Sequence, residues 1–243
     1  MSKTQVVLVI AILAAIRILL TSISNYYLIA LALGLVLFLF GMSMFLRAQF
    51  FVESIFKTSE NNVLLSFDDG PDPLNTPLIL DILNKQGATA MFFLIGKKIK
   101  GNEALVQRIH AEGHLLGSHS FSHDSKIGLW NKLRTRTDIA KGHEELLKVV
   151  PSAGNWYRPP FGLTNPNIAS ALKECGFSSV GWSVRSFDTV KSDPKKLLEN
   201  LSQEIKGSDI VLLHDTQELT VSLLESLIIA LKSRNLTLKA ELN

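Results

Sequence analysis

One cysteine, Cys175, occurs in the 243 residues, so no disulfide can close within the chain. It stands at the end of a helical pattern, Leu172-Lys173-Glu174-Cys175-Gly176, where a lone cysteine reads as a packing residue. Acid is missing from the front. No Asp or Glu precedes Glu53, and between Val6 and Leu46 the one charge is Arg17. Lys3, Arg17 and Arg47 carry the whole formal net charge of +3, which leaves 22 basic and 22 acidic residues balanced over the rest. A neutral body behind a basic front has no electrostatic footprint for nucleic acid, and no nucleic-acid-binding motif is present. Internal repeats and low-complexity tracts are also missing, and nothing marks an obligate protein partner.

What the front has in place of charge is apolar length. Tyr26 to Leu46 is a run of 21 uncharged residues, which as a helix would rise roughly 31 Å against a hydrocarbon core of about 30 Å. Tyr26 and Tyr27 at one end and Arg47 at the other suit the two interfaces. The run is apolar on every face, unlike a helix packed on one side of a globular core. Val6 to Leu20 is shorter and contains Arg17. Extended to Ile23 it makes a first span with Arg17 snorkelling to the interface. The alternatives are a helix lying on the membrane surface and a signal peptide beginning at Lys3. The second apolar run follows without a cleavage site, so the leading expectation is a two-span hairpin joined by Thr21-Ser22-Ile23-Ser24-Asn25. Residues 1–47 are thus expected to form a bilayer anchor, 48–61 a polar and aromatic connector, and 62–243 a catalytic domain. Charge leaves the facing open. A hairpin with Lys3 and Arg47 inside keeps the domain in the cytoplasm, whereas a single span with Lys3 and Arg17 inside exports it.

Beyond the connector, short β-rich runs alternate with helical periodicity. Strands are expected at Val63–Phe67, Thr89–Ile95, Leu115–Ser118, Ser179–Val184 and Ile210–His214, with a last one near Leu236–Lys239. Helices are expected at Pro77–Gln86, Asn102–Glu112, Trp130–Val149, Asn165–Cys175, Pro194–Lys206 and Thr220–Arg234. In the last of these, Leu223, Leu224, Leu227, Ile228 and Leu231 make one apolar stripe. Alternation over this length predicts an α/β fold, a parallel sheet covered by helices, and does not separate an open sheet from a barrel.

The chemistry-bearing segment is Ser66-Phe67-Asp68-Asp69-Gly70-Pro71-Asp72, two adjacent carboxylates where a strand runs into a turn. Strand neighbours point to opposite faces, but twist and a turn at the strand end can aim two acids at one point. Four more segments follow. His119-Ser120-Phe121-Ser122-His123 sets two imidazoles four residues apart, and Arg158-Pro159-Pro160-Phe161-Gly162 puts an arginine on a proline-fixed loop. Trp182-Ser183-Val184-Arg185-Ser186-Phe187-Asp188 ends in an acid, and Ile210-Val211-Leu212-Leu213-His214-Asp215 ends a buried strand in a histidine and an acid. Asp68, Asp69, His119, Asp188 and His214 all fall at or just beyond expected strand ends, where active groups of β/α barrels gather.

The five motifs, in this order over roughly Asn62 to Leu238, resemble the polysaccharide deacetylase family, the NodB-homology carbohydrate esterases. The resemblance implies a distorted, incomplete (β/α) barrel behind the N-terminal transmembrane segment. It also implies a metal-dependent hydrolase that removes N-acetyl groups from amino sugars of a polysaccharide, peptidoglycan or lipid-linked glycan at the bacterial cytoplasmic membrane. Asp69, His119 and His123 match the family's metal ligands, with Zn2+ the leading divalent metal; cobalt, nickel and iron are also compatible. If His119 and His123 begin a helix, their spacing sets both on one face. Asp68 matches the catalytic base, Arg158 the cation that orients it and keeps it ionised, His214 the acid for the departing amine, and Asp188 the carboxylate that tunes His214. Leu213 matches the apolar wall against the acetyl methyl, and the Phe161 backbone N–H an oxyanion donor.

Three positions depart from the family pattern. Phe161 replaces a frequent tyrosine, Arg185 stands where many members carry an acid, and Thr189 where many carry tryptophan. Arg185 and Thr189 are expected to face the substrate groove, with Arg185 available to an anionic group. Asp72 and Asp124 read as turn and capping residues, His110, His114 and His143 as structural, Trp130 and Trp156 as core, and Asp215 as support for the loop after His214. Rival activities are glycan deformylation or O-deacetylation. An inactive membrane-held glycan-binding protein is the rival outside catalysis, and it would need neither Asp68 nor His214.

Overall fold

The computed structural model describes residues 3–21 and 25–242. Two helices open it, α1 (Lys3–Leu20) and α2 (Asn25–Met44), each long and apolar enough to cross a membrane by length and composition. They pack on each other, and Lys3 Nζ donates to the Gln49 carbonyl at 2.9 Å, so the start of α1 and the end of α2 lie on the same side. The two helices thus run antiparallel; residues 22–24 of the expected joining segment fall outside the described residues.

The expected connector is part of the domain. Ser54–Ile55 is β1, an edge strand of the sheet. There follow β2 (Leu64–Gly70), α3 (Asn75–Lys85), β3 (Met91–Leu94), the single-turn α4 (Gly96–Ile99), α5 (Glu103–Ala111), β4 (Leu115–Ser118) and α6 (Lys132–Val149). Then come β5 (Trp156–Tyr157), α7 (Pro166–Cys175), β6 (Ser178–Val180), β7 (Val184–Arg185), α8 (Pro194–Glu204), β8 (Ile210–His214) and α9 (Glu218–Lys232). Every strand pairing is parallel, in the order β1-β6-β5-β4-β3-β2-β8-β7, and the sheet curls into a half-barrel.

Three expectations about elements are corrected. The strand expected over Ser179–Val184 is split, because Gly181-Trp182-Ser183 leaves one side of the sheet and rejoins it at the other. The last strand, near Leu236–Lys239, shrinks to one isolated bridge between Asn62 and Thr237. The helix expected from Trp130 begins at Lys132, because the Asn131 side chain caps it by accepting from the Arg134 N–H at 2.9 Å.

Strand alternation divides the core. On β2, Leu65 and Phe67 face outward into the main cluster with Leu80 and Leu83 of α3 and Leu224 and Leu227 of α9. Leu64 faces inward and packs with Met91, Phe93, Val180 and Ile210 inside the half-barrel. Ser66 and Asp68 share the parity of Leu64, so the interior grows polar toward the carboxyl ends of the strands. That gradient places the site.

Candidate active site

Asp68 and Asp69 reach the same cleft although they are neighbours on one strand. The pairing of β2 with β3 skips a residue between Asp68 and Gly70, and Asp69 sits in the left-handed region at φ 74°. The bulge re-aims Asp69 while Asp68 keeps its inward parity. Lys98 Nζ holds the Asp69 carbonyl oxygen at 2.7 Å.

His119 and His123 lie on the loop after β4, and this loop is not a helix. Ser120 (φ 65°) and His123 (φ 49°) are both left-handed, and these two kinks, rather than helical spacing, turn the imidazoles to one side. Their ring centroids are 4.9 Å apart. The loop is tied from within by the His123 N–H to Ser120 Oγ (2.9 Å) and from α6 by Asp138, which accepts from the Phe121 and Ser122 N–H groups. Gly142 lets α6 come this close, since a Cβ there would stand 2.6 Å from the Ser120 carbonyl carbon.

The three expected ligand groups converge. Asp69, His119 and His123 each offer an atom, all within 4.8 Å of one another. His119 Nδ1 faces the Arg158 carbonyl at 2.7 Å; a carbonyl only accepts, so Nδ1 carries the proton and Nε2 presents its lone pair toward Asp69 Oδ1 at 3.6 Å. His123 Nε2 is 3.2 Å from the same oxygen. Burial lowers the pKa of His119 to about 3 and also lowers that of His123, so both rings are neutral. Asp69 Oδ1 is buried with no hydrogen-bond partner. A carboxylate oxygen left unsatisfied between two neutral imidazoles fits a divalent metal, and the donor set suits zinc.

Two supported pairs flank these groups. Arg158 is fully buried, stacked 4.1 Å over the Phe93 ring, and donates to Asp68 Oδ1 (2.8 Å), Ser66 Oγ (2.9 Å), the Val180 carbonyl (3.1 Å) and the Gly181 carbonyl (2.8 Å). Four bonds from one guanidinium leave Asp68 a single orientation. Burial raises the Asp68 carboxyl above its ordinary range, and Arg158 opposes this without overcoming it. On the adjacent strand β8, His214 Nδ1 is 2.8 Å from Asp188 Oδ1, and Asp188 Oδ2 accepts from the His214 N–H (2.7 Å) and Thr220 Oγ1 (2.6 Å). For His214 the loss of solvation lowers the pKa, but the Asp188 bond and charge outweigh it and the net shift is upward. Asp188 is lowered on balance, since bonds from His214, Thr220 and Ser186 outweigh its burial.

One expected residue points away. Leu213 is fully buried in the main core, and the leucine that lines the cleft is Leu212. Strand parity is the reason, because Leu212 and His214 share a face and Leu213 takes the other. Phe161, left-handed at φ 60° and half exposed, lines the cleft with its ring 4.6 Å from His123. Arg185 and Thr189 also line it. So do Gly162 and Trp182, which the sequence reading gave no role; Trp182 closes on Gly162 and no spacing rule exposes that. Asp215 supports the loop as expected, accepting from Thr76 Oγ1 at 2.6 Å.

The family model for polysaccharide deacetylase matches residues 56–180, just over half of the chain. The chain belongs to the polysaccharide deacetylase family. A peptidoglycan-N-acetylglucosamine deacetylase of Bacillus cereus is 33% identical over 159 residues, 65% of this chain and 74% of that one. The peptidoglycan-N-acetylmuramic acid deacetylase PdaA of Bacillus subtilis is 30% identical over 188 residues, 75% and 71% of the two chains. Among solved structures, the Bc1960 peptidoglycan N-acetylglucosamine deacetylase superposes with a TM-score of 0.71 at 29% identity, over 76% of this chain and 89% of that one. A family-4 carbohydrate esterase pseudoenzyme of Bacillus anthracis superposes equally well, TM-score 0.71 at 23% identity, over 77% and 66%. The deacetylase-family fold is therefore shared with a pseudoenzyme, and activity has to be argued from side chains.

Proposed function

We propose that this chain is a membrane-anchored, metal-dependent N-deacetylase acting on N-acetylated amino sugars of a glycan. One observation carries the reading. Asp68, held by Arg158, and His214, held by Asp188, line the same cleft as the ligand cluster, an arrangement that binding a glycan does not require. Asp69, His119 and His123 would hold the metal, which would acidify a water and polarise the acyl oxygen. Asp68 takes the proton from the attacking water, held in place by Arg158. His214 gives its proton to the amine nitrogen as the C–N bond breaks, so acetate and a free amino sugar leave. The Phe161 N–H stabilises the oxyanion, and Leu212 lies against the acyl methyl. α1 and α2 serve as the anchor at the cytoplasmic membrane. N-acetylated relatives' substrates, peptidoglycan and chitooligosaccharide, define the acceptor class to try first.

The test is acetate release by the full chain in detergent with zinc, against peptidoglycan and N-acetylated oligosaccharides, with Asp68→Asn as control. Release by the parent and a loss of at least about a hundredfold in the variant is expected. Formate release, or cleavage confined to O-acetyl esters, would move the assignment to the rival hydrolases. Metal binding without any acyl release would make this chain a binding protein.

A further inference from the structure

The turn and helix start that follow the metal loop carry an unusual surface. Leu129 is 88% exposed and Leu133 is 71% exposed. Around them stand Lys126, Lys132, Arg134 and Arg136, all exposed. Two carboxylates answer these four cations. Asp124 lies 3.6 Å from Arg134, while Glu174 lies 2.5 Å from Lys132 and 3.7 Å from Arg136. The strap is thus cationic with two leucines outward. Exposed leucines standing singly need no explanation; their position supplies one here.

The last turn of α2 is bonded to the loop beneath this strap. The Thr164 N–H donates to the Ser43 carbonyl (2.9 Å) and Ser43 Oγ donates to the Thr164 carbonyl (2.6 Å). The next residue, Asn165, donates from Nδ2 to the Gly128 carbonyl (3.0 Å), and Asn167 Nδ2 donates to the Trp130 carbonyl (2.8 Å). Thr164 and Asn165 are adjacent, about 3.8 Å between Cα atoms. The end of the apolar helix and the Leu129 turn therefore hang from neighbouring residues. If α2 crosses a bilayer, its end marks the headgroup level, and the strap lies at that level. Met44 and Phe45, also half exposed, continue the apolar surface from the helix end. Leucines set among exposed cations at headgroup depth are the chemistry of an anionic lipid surface.

We propose that residues Lys126–Arg136 form a second membrane contact, in which Leu129 and Leu133 enter the headgroup layer while Lys126, Lys132, Arg134 and Arg136 face anionic lipid. This rests on the reading of α1 and α2 as membrane spans. Its consequence is positional. His123 precedes the strap by three residues and Phe161 precedes Thr164 by three, so the cleft opens beside the bilayer surface, where membrane-linked glycans lie.

The experiment uses the full chain with Cys175→Ser, carrying one bimane-labelled cysteine at Leu133 or, for reference, at Ile229. Ile229 is exposed on α9, which packs against α3 and α8. The protein is placed in nanodiscs of phosphatidylcholine and phosphatidylglycerol with brominated acyl chains. Bromolipid should quench the label at 133 several-fold more than the label at 229, and iodide in the buffer should show the reverse order. Lys132→Glu/Arg134→Glu/Arg136→Glu should erase the difference. Equal bromolipid quenching at both sites overturns the proposal. A disulfide between two chains formed by the unlabelled Leu133→Cys protein under added oxidant, without bromolipid quenching of the labelled one, overturns it too, and assigns the surface to a second copy. Failure to enter the disc is read before any quenching; it overturns the anchor reading and the contact with it, and leaves the active-site reading untouched.

Discussion

Asp68 and His214 are direct register partners on adjacent parallel strands, β2 and β8. The proposed base and the proposed acid thus stand at the same level of one sheet, their separation set by inter-strand spacing and not by a loop. Their supports differ. Arg158 reaches Asp68 from inside the half-barrel, and Asp188 reaches His214 from the rim after β7.

The Asp188 pair sets a pH dependence. Asp188 holds the His214 pKa above its ordinary value, which keeps the imidazole, the proposed acid, protonated to higher pH. Asp188→Asn removes that charge, so the pKa of His214 falls and its acid form is lost sooner as pH rises. The alkaline limb of kcat/KM should move to lower pH, with zinc content unchanged by elemental analysis. An unmoved limb would remove His214 from the acid role.

Arg185 tests substrate choice. It lines the cleft on the edge strand β7, with its guanidinium 4.9 Å from the Phe187 ring centroid. A charge-assisted hydrogen bond is worth about 1.5–3 kcal/mol. Arg185→Ala should therefore lower kcat/KM on acceptors bearing a carboxylate or phosphate by about tenfold or more, and leave neutral oligosaccharides near the parent value. Equal losses on both acceptor types, in steady-state kinetics, would assign Arg185 to packing.

Leu212 and Leu213 should separate activity from stability. Leu213→Ala empties a site in the main core and should cost about 2–5 kcal/mol in denaturant unfolding. Leu212→Ala opens onto the cleft, so it should change KM or acyl-chain selectivity more than unfolding. If the two variants exchange these phenotypes, the assigned parity is wrong.

His114 gives a stability prediction away from the site. Its Nδ1 accepts from the Ala90 N–H at 3.0 Å, and burial lowers its pKa from 6.5 to about 4. The folded state holds it neutral, so its contribution is complete above pH 6.5 and is lost as pH falls toward 4, where the unfolded chain takes the proton first. Over that window the loss is a few kcal/mol at most, about 3 to 4 for the whole shift. His114→Asn keeps an acceptor for Ala90 and should flatten the dependence in urea unfolding of the full chain in detergent. An undiminished slope would place the titration elsewhere.

How much of this was readable without coordinates depended on run length. β4 and β8 lie in apolar runs with turn residues beside them and keep their expected bounds, whereas β2 runs three residues past its expected end, through Asp68 and Asp69 to Gly70. β1, β5 and β7 are two residues each, too short to carry periodicity, and β1 hid in an apparent connector. Asp68, Asp69, His119, His123, Arg158, Asp188 and His214 come together because each lies on a strand of one sheet, near its carboxyl end, or in the loop just after one. Backbone detail stayed hidden. Four-residue spacing suggested a helix for His119 and His123, while left-handed Ser120 and His123 supplied the turn. The Leu213 assignment ignored a parity that His214 itself sets, two residues from Leu212.

The short link between β6 and β7 carries a last consequence. These strands are consecutive in the chain, yet β7 is at one extreme of the sheet and β6 is next to the other. Only Gly181, Trp182 and Ser183 join them. Four Cα steps reach at most about 15 Å, so the sheet has to bend until its two margins nearly touch. Arg158 bonds the Val180 and Gly181 carbonyls at that junction. The curvature of the vessel is therefore dictated by tether length, and the side chain that steadies Asp68 also laces the seam.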